Sequence, residues 1–390
     1  MWRKERFFSS VPVSDGVTSW FWIAEPLFLA LFCFASSVGI RQKILQYACL
    51  IAASFFLAFV TAEMYLRATN SEVDFMSLFR SRDSVYVKSE QTTHLYELSH
   101  VAPDPVLGYG PNLDASSVAS RRVKDGKVLY DVLYTRDAEG RRITPDRGDK
   151  ADTAILFFGC SFTVGEGVHD RETFAWRLGE MLGDKFQVFN YGYHGYGSHQ
   201  MLALIESGRL DAIARRYTQI YAFYLTIADH ETRCIGLWPN NGTGPRYILE
   251  NGILKHAGRL NENRERAKFF SSSFVYRQVT RAYYLHLAPY SALDTHAAII
   301  AQSAHELDAR YHAQFLAVIY PDFTRIEPML RARGVHTLSL TGVMPDYLPD
   351  GKYRYRIKGD GHPNALTHTL IAGALAEYML KNARATREQQ

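Results

Sequence analysis

The sequence predicts an α/β domain built on a parallel sheet covered on both faces, behind a small β-rich lead-in and two N-terminal transmembrane helices. Three observations carry this reading. Beyond about residue 150, short apolar runs alternate with helical segments, and strands separated by helices argue for a parallel sheet. Between turn signals at 103-PDPVLGYGPN and 137-DAEGRR, the stretch 128-VLYDVLYT has β-type composition. Near the start, two apolar runs are each long enough to cross a hydrocarbon core of roughly 30 Å as a helix.

The two runs are VTSWFWIAEPLFLALFCFASSVGI (17–40), interrupted by Glu25-Pro26, and ILQYACLIAASFFLAFVTAEMYL (44–66). Only Arg41-Gln42-Lys43 separates them, so two spans would form a tight hairpin. A signal peptide fits poorly, because a polar stretch parts the basic start from the apolar run and a second apolar run follows at once. Orientation stays open on charge: Arg41 and Lys43 pull their loop toward the cytoplasm, and Arg3, Lys4 and Arg6 pull the opposite way. The expected organisation is an anchor over 1–69, the β-rich lead-in over 70–150, and the main domain over 151–385.

Within that domain the predicted order begins with strand Ile155–Gly159. Next is a helix over Glu172–Gly183, with Phe174, Leu178, Met181 and Leu182 at helical spacing. Strand Phe186–Tyr191, helix Ser198–Arg215 (Met201, Leu204 and Ile205 inward) and strand Gln219–Thr226 follow. A helix at Thr295–Tyr311 precedes strand Phe315–Tyr320. The order closes with a helix through Met329 and Leu330, strand Val335–Leu340 and a helix from about Ala365 to Leu380.

Composition excludes some classes of function. A formal charge of +4 over 390 residues, with no basic run, gives no support to a nucleic-acid partner. Four cysteines are too few for a disulfide scaffold, and no Cys-x-x-Cys or His-x-x-x-His spacing suggests a zinc site.

Chemistry concentrates at strand ends, where such sheets carry their working residues. The stretch 155-ILFFGCSFTVGEGV-168 leaves a strand through Gly159-Cys160-Ser161. It is either an ordinary strand-to-helix turn or a nucleophile held at the sheet edge; Cys160, directly before the serine, would point elsewhere. After the second strand comes 190-NYGYHGYGSHQ-200, after the third 227-IADHETRC-234, and before the last helix 358-KGDGHPNALTH-368. A serine needs a base, and a histidine oriented by a carboxylate is the natural one; Asp360 and His362 supply both. The oxyanion needs donors already in place, worth roughly 3 kcal/mol each, and the backbone N–H groups of Ser161 and Gly195 are the candidates. Each piece has a bland alternative: a turn, a helix cap at Asp360, a phosphate-cradling glycine loop. No glycine run ends in Gly-Lys-Ser/Thr, which sets aside a nucleoside-triphosphate loop. The conjunction of the pieces at one sheet edge favours acyl transfer.

In these blocks the sequence resembles the SGNH (GDSL-like) hydrolases, in their bacterial membrane-anchored branch, over roughly Asp104 to Leu380. The first block is Gly159-Cys160-Ser161-Phe162-Thr163 with Gly165-Glu166-Gly167-Val168, Cys160 standing where many members carry aspartate. The second is Asn190 to Gly195 with Tyr196-Gly197 and Gln200, and the last is Asp360-Gly361-His362-Pro363-Asn364. The resemblance implies a flavodoxin-like three-layer sandwich with Ser161 as nucleophile, His362 as base, Asp360 as its partner, and Ser161 and Gly195 N–H groups as the oxyanion hole. It implies action on O-acyl esters, O-acetyl among them, of carbohydrates or lipids without a metal or organic cofactor. Some relatives transfer the acyl group to a glycan. It also implies a bacterial inner-membrane location with the domain on the extracytoplasmic (periplasmic) side.

Two departures stand out. The third block, which normally brings an asparagine donor, reads Ile227-Ala228-Asp229-His230 here, so that donor is missing unless His230 substitutes; Asp229 and Arg233 alternatively form an ion pair beside the site. The late Asp and His are separated by one residue where many members have two, a form found in relatives that modify polysaccharides. A non-catalytic glycan-binding or assembly subunit is the competing class. His194, His199 and Tyr193 are candidates to line a substrate groove, or else exposed loop residues, and Trp238 would suit stacking on a sugar. Cys160 and Cys234 are expected to come close, either as a disulfide or as two buried thiols.

Overall fold

The computed structural model describes residues 16–69, 92–96, 101–114, 116–124, 126–236, 243–260, 273–283, 291–347 and 352–388. The chain forms two compact units, Met1–Asp83 with Asn261–Ser291, and Ser84–Leu260 with Ala292–Gln390.

In the first unit, helices Gly16–Gly39 and Lys43–Thr69 pack against each other. Trp22 near the start of one lies beside Phe59 near the end of the other, 6.4 Å between rings, so the pair is an antiparallel hairpin. Small residues allow close approach: Ala30, Ser37 and Ala53 are buried, while Phe28, Leu31, Phe32, Ile51 and Phe55 point outward and are exposed. Pro26 lies inside the first helix without ending it. Both helices are long and apolar enough to cross a membrane. A third helix, Phe274–Ala282, also belongs to this unit.

The second unit opens with strands β1 (Thr92–Tyr96), β2 (Val101–Asp104), β3 (Gly108–Pro111), β4 (Ser117–Lys124) and β5 (Lys127–Thr135). They make an antiparallel sheet β1-β4-β5 and a β2-β3 hairpin. From Tyr130 to Tyr134 of β5 the side chains alternate, Tyr130, Val132 and Tyr134 buried and Asp131 and Leu133 exposed, the period of two that one buried face requires. This lead-in shares its compact unit with the main sheet.

That sheet contains β6 (Thr153–Phe158), β7 (Phe186–Asn190) and β8 (Gln219–Thr226), then, after a hairpin of β9 (Pro245–Glu250) and β10 (Ile253–Arg259), β11 (Gln314–Ile319) and β12 (Thr337–Ser339). The order is β7-β6-β8-β11-β12, all parallel, with Leu156 opposite both Phe189 and Ala222. Counted along the sheet's own strands this is 2-1-3-4-5, the flavodoxin-like order. Every residue of β6 is buried, because helices cover both faces. Ile155 and Phe157 pack with Phe174 and Leu178 of helix Phe174–Leu182 and with Ile371 and Leu375 of the last helix, Ala365–Glu388. Full burial of each such side chain contributes about 1.5–3 kcal/mol. On the opposite face Phe158 borders one small cavity with Met201 and Leu204 of helix Ser198–Glu206, against which helix Ala292–Tyr311 packs.

Three details depart from expectation. The predicted helix 198–215 is two helices, Ser198–Glu206 and Asp211–Arg216, because Gly208 takes a positive φ of 75° between them. The β9-β10 hairpin has no counterpart in the predicted order. The last helix runs on to Glu388.

Candidate active site

The carboxyl ends of β6, β7 and β8 deliver the site to the point where strand order reverses. Gly159 leaves β6 at φ 148°, Cys160 caps a single turn of helix, Ser161–Val164, and Ser161 opens that turn. The turn closes when the N–H groups of Gly165 and Glu166 both donate to the Ser161 carbonyl. Gly165 adopts the left-handed conformation, which swings Glu166 back toward the serine. From the end of β7 Asn190 clamps the turn: its Nδ2 donates to Thr163 O at 3.0 Å and its Oδ1 accepts from Gly192 N–H at 3.0 Å.

His362 arrives from the segment before the last helix. Its Nε2 lies 2.9 Å from Ser161 Oγ, across 201 residues of sequence. Asp360 Oδ1 bonds the His362 ring at Nδ1 and also accepts the His362 backbone N–H at 3.0 Å. Its Oδ2 pairs with Arg122 of β4, and the carboxylate is fully buried. With Nδ1 donating to Asp360, Nε2 is left to accept from the serine hydroxyl. Asp360 is thus not the helix cap; Asn364 is, accepting from Thr367 N–H at 3.1 Å.

Gly195 sits in the loop after β7 at φ 74°, and Tyr109 fills the space a side chain there would need: a Cβ would lie 2.7 Å from its hydroxyl. Tyr109 also donates to the His194 carbonyl at 2.9 Å, fixing the loop. His194 is buried with Nδ1 2.8 Å from Glu166 Oε2, and the same oxygen lies 3.4 Å from His362 Nε2. Tyr130 of β5 donates to Glu166 Oε1 at 3.1 Å. Burial, then the Glu166 charge, hold the Tyr130 phenol well above its ordinary pKa, so it stays a donor.

Several expected residues lie elsewhere. His230 lines no groove; it is fully buried with Nδ1 2.6 Å from the Tyr224 hydroxyl, and desolvation holds it well below the ordinary histidine pKa. It turns inward because Ala228-Asp229 starts a short helix, Asp229–Arg233, whose inner face meets β8. Asp229 is half exposed and reaches Arg233 only at 3.5 Å, while Arg233 donates to Tyr196 O at 2.9 Å. His199 and Tyr193 are buried, not exposed loop residues. Cys160 and Cys234 are free buried thiols near Tyr224, with no disulfide. Trp238 lies outside the described residues. Sequence reasoning assigned no role to Glu166, although it stands inside the first block, nor to Arg122 and Tyr130, which the lead-in brings from far away.

No protein-family model matches this chain, and no curated protein matches it. Among solved structures it is similar to a member of the lipolytic G-D-S-L family from Veillonella parvula, at 11% identity over 58% of this chain and 97% of that one, TM-score 0.32. It is similar to a carbohydrate acetylesterase from Sinorhizobium meliloti, at 11% identity over 59% and 99%, TM-score 0.31. A third is an acetyl xylan esterase from the rumen bacterium Butyrivibrio proteoclasticus, at 11% identity over 67% and 68%, TM-score 0.31. Likenesses this distant leave the functional reading to the geometry of the site.

Proposed function

We propose that this chain is a membrane-anchored serine esterase that cleaves O-acyl esters, O-acetyl among them, of a carbohydrate or lipid through an acyl-enzyme. One observation carries the reading: Ser161 Oγ lies 2.9 Å from His362 Nε2 while Asp360 holds the ring at Nδ1. Ser161 attacks the ester carbonyl as His362 takes its proton. Asp360 orients the ring and offsets the imidazolium charge. Backbone N–H groups of Ser161 and Gly195 stabilise the oxyanion, each worth roughly 3 kcal/mol. His362 then gives its proton to the departing alcohol. Water, activated by the same base, releases the acyl group; a glycan hydroxyl in its place would make the enzyme a transferase.

The resemblance of the blocks supports the acylated carbohydrate or lipid substrate and the extracytoplasmic side of a bacterial inner membrane. The two span-length helices support the anchor. Ala228 in place of an amide donor favours the competing, non-catalytic reading. A fluorophosphonate probe on the full chain in detergent separates the two. An adduct mapped to Ser161 and lost in His362→Ala supports the esterase; an unlabelled Ser161 leaves the non-catalytic reading. Release of free acetate, against its transfer to added glycan, then divides hydrolase from transferase.

A further inference from the structure

Glu63 is a charged residue in a helix otherwise suited to lipid, yet it is fully buried. Its carboxylate is completely engaged by the helix Phe274–Ala282 and by its own neighbour. Oε1 accepts from Phe274 N–H and Oε2 from Val275 N–H, each at 2.9 Å, and Oε2 also takes the Ser273 hydroxyl at 2.9 Å. Ser273 in turn accepts from Tyr276 N–H at 3.1 Å. The first three N–H groups of that helix are therefore satisfied, two of them by a carboxylate placed where the helix dipole favours negative charge. Arg67, one turn on, pairs with Glu63 at 2.7 Å and lies over the Phe274 ring at 5.3 Å.

The depth of this cap follows from helix geometry. Glu63 comes 20 residues after Lys43, the basic residue that opens its helix. At about 1.5 Å per residue that is about 30 Å, the thickness of the hydrocarbon core. With Lys43 at one headgroup layer, Glu63 reaches the other. The capped helix consequently starts at the interface. Tyr276 and Val279 on it and Tyr283 just past its end, at i, i+3 and i+7, form one stripe, 43%, 62% and 45% exposed. Tyrosine favours the membrane interface, with an apolar ring and a polar tip. The segment's sequence has arginines at 277 and 281 and no acidic residue, which suits phosphate headgroups.

We infer that the helix Phe274–Ala282 lies in the phospholipid interface of the bilayer that the anchor crosses, its Tyr276-Val279-Tyr283 stripe against lipid and its start docked by Glu63. This rests on the membrane-anchor part of the proposed function. The test places an environment-sensitive fluorophore at Val279→Cys or at Phe28→Cys in the full chain, with Cys33 and Cys49 replaced by alanine. The chain is reconstituted in vesicles of phosphatidylcholine and phosphatidylglycerol that carry spin-labelled lipid quenchers. We expect the Phe28 probe to respond to deep quenchers and the Val279 probe to shallow ones. Adding Glu63→Ala should abolish quenching at Val279 and leave Phe28 unchanged. A lipid-quenched Phe28 probe beside a fully aqueous Val279 probe overturns the inference and spares the anchor. Two aqueous probes overturn the anchor and the inference together. Undiminished shallow quenching in Glu63→Ala overturns the docking role.

Discussion

Glu166 Oε2 stands 3.4 Å from His362 Nε2, the atom that also lies 2.9 Å from Ser161 Oγ. The His362 ring is therefore held between two carboxylates. Asp360 with Arg122 faces Nδ1, and Glu166 with His194 and Tyr130 faces Nε2. Arg356 lies over the Phe162 ring that flanks the imidazole. A carboxylate at Nε2 favours the protonated ring, so in the proposed mechanism it helps His362 accept the serine proton. In Glu166→Gln the imidazolium formed in that step loses this support. The rate of fluorophosphonate labelling at Ser161 should fall. Labelling as fast as in the parent chain would mean that Glu166 does not act on His362.

Asp360 is itself held by a strand from the lead-in. Arg122 occupies Oδ2, which leaves Oδ1 for the ring and the backbone of His362. Asp360→Asn removes the charge that orients the ring, and labelling should slow by about 10³-fold or more. Arg122→Gln leaves the carboxylate in place and only loosens it, so a loss of roughly tenfold is expected. If Arg122→Gln labels as fast as the parent chain, the lead-in does not position Asp360.

The parallel sheet was legible because strands buried on both faces read as apolar runs separated by helices, and β6, β7, β8 and β11 all fall within a residue or two of their expected places. The candidate residues Ser161, Asp360 and His362 could be picked out because each stands near an element's end within two residues of a glycine, where backbone freedom marks the sequence. Arg122 could not. It meets Asp360 across 238 residues through a pairing that no local pattern encodes. Glu166 was visible but mute, since its direction depends on the left-handed Gly165 before it. His230 misled for a different reason: its place after the third strand offered an oxyanion donor, but a buried hydroxyl six residues earlier, on Tyr224, receives it.

The exit from β6 tolerates no side chain. At Gly159, with φ 148°, a Cβ would lie 2.1 Å from Thr163 Oγ1 and 3.2 Å from the Leu225 carbonyl. Gly159→Ala should destabilise the chain by roughly 2–3 kcal/mol, from strain plus the displaced turn, and abolish labelling of Ser161. Gly373 in the last helix is the control: nothing lies within 4 Å of a Cβ there. Gly373→Ala should be stabilising by about 0.5–1 kcal/mol. Urea midpoints of the two variants check this, and equal shifts would refute the account of the Gly159 turn.

Acid should unfold this chain through its buried histidines. His199, His296 and His368 are fully buried, and desolvation lowers each to about 3. His296 is bonded on both nitrogens, to Ser198 and Thr226, and His368 Nδ1 accepts from Phe174 N–H at 3.1 Å. Neither His199 ring nitrogen has a partner among the described residues, so an added proton would bury an unpaired charge. In the unfolded chain each would titrate near about 6.5. Between those values the unfolded state binds more protons, so stability is full above the unfolded pKa and falls as pH drops toward the folded one. Each histidine adds a slope of up to about 1.4 kcal/mol per pH unit. The urea midpoint of the full chain in detergent should therefore drop steeply from about pH 7 to about pH 5, before most carboxylates titrate. His368→Gln should flatten that slope by one proton's share. A midpoint that stays level across the window would show that these rings take up protons without unfolding.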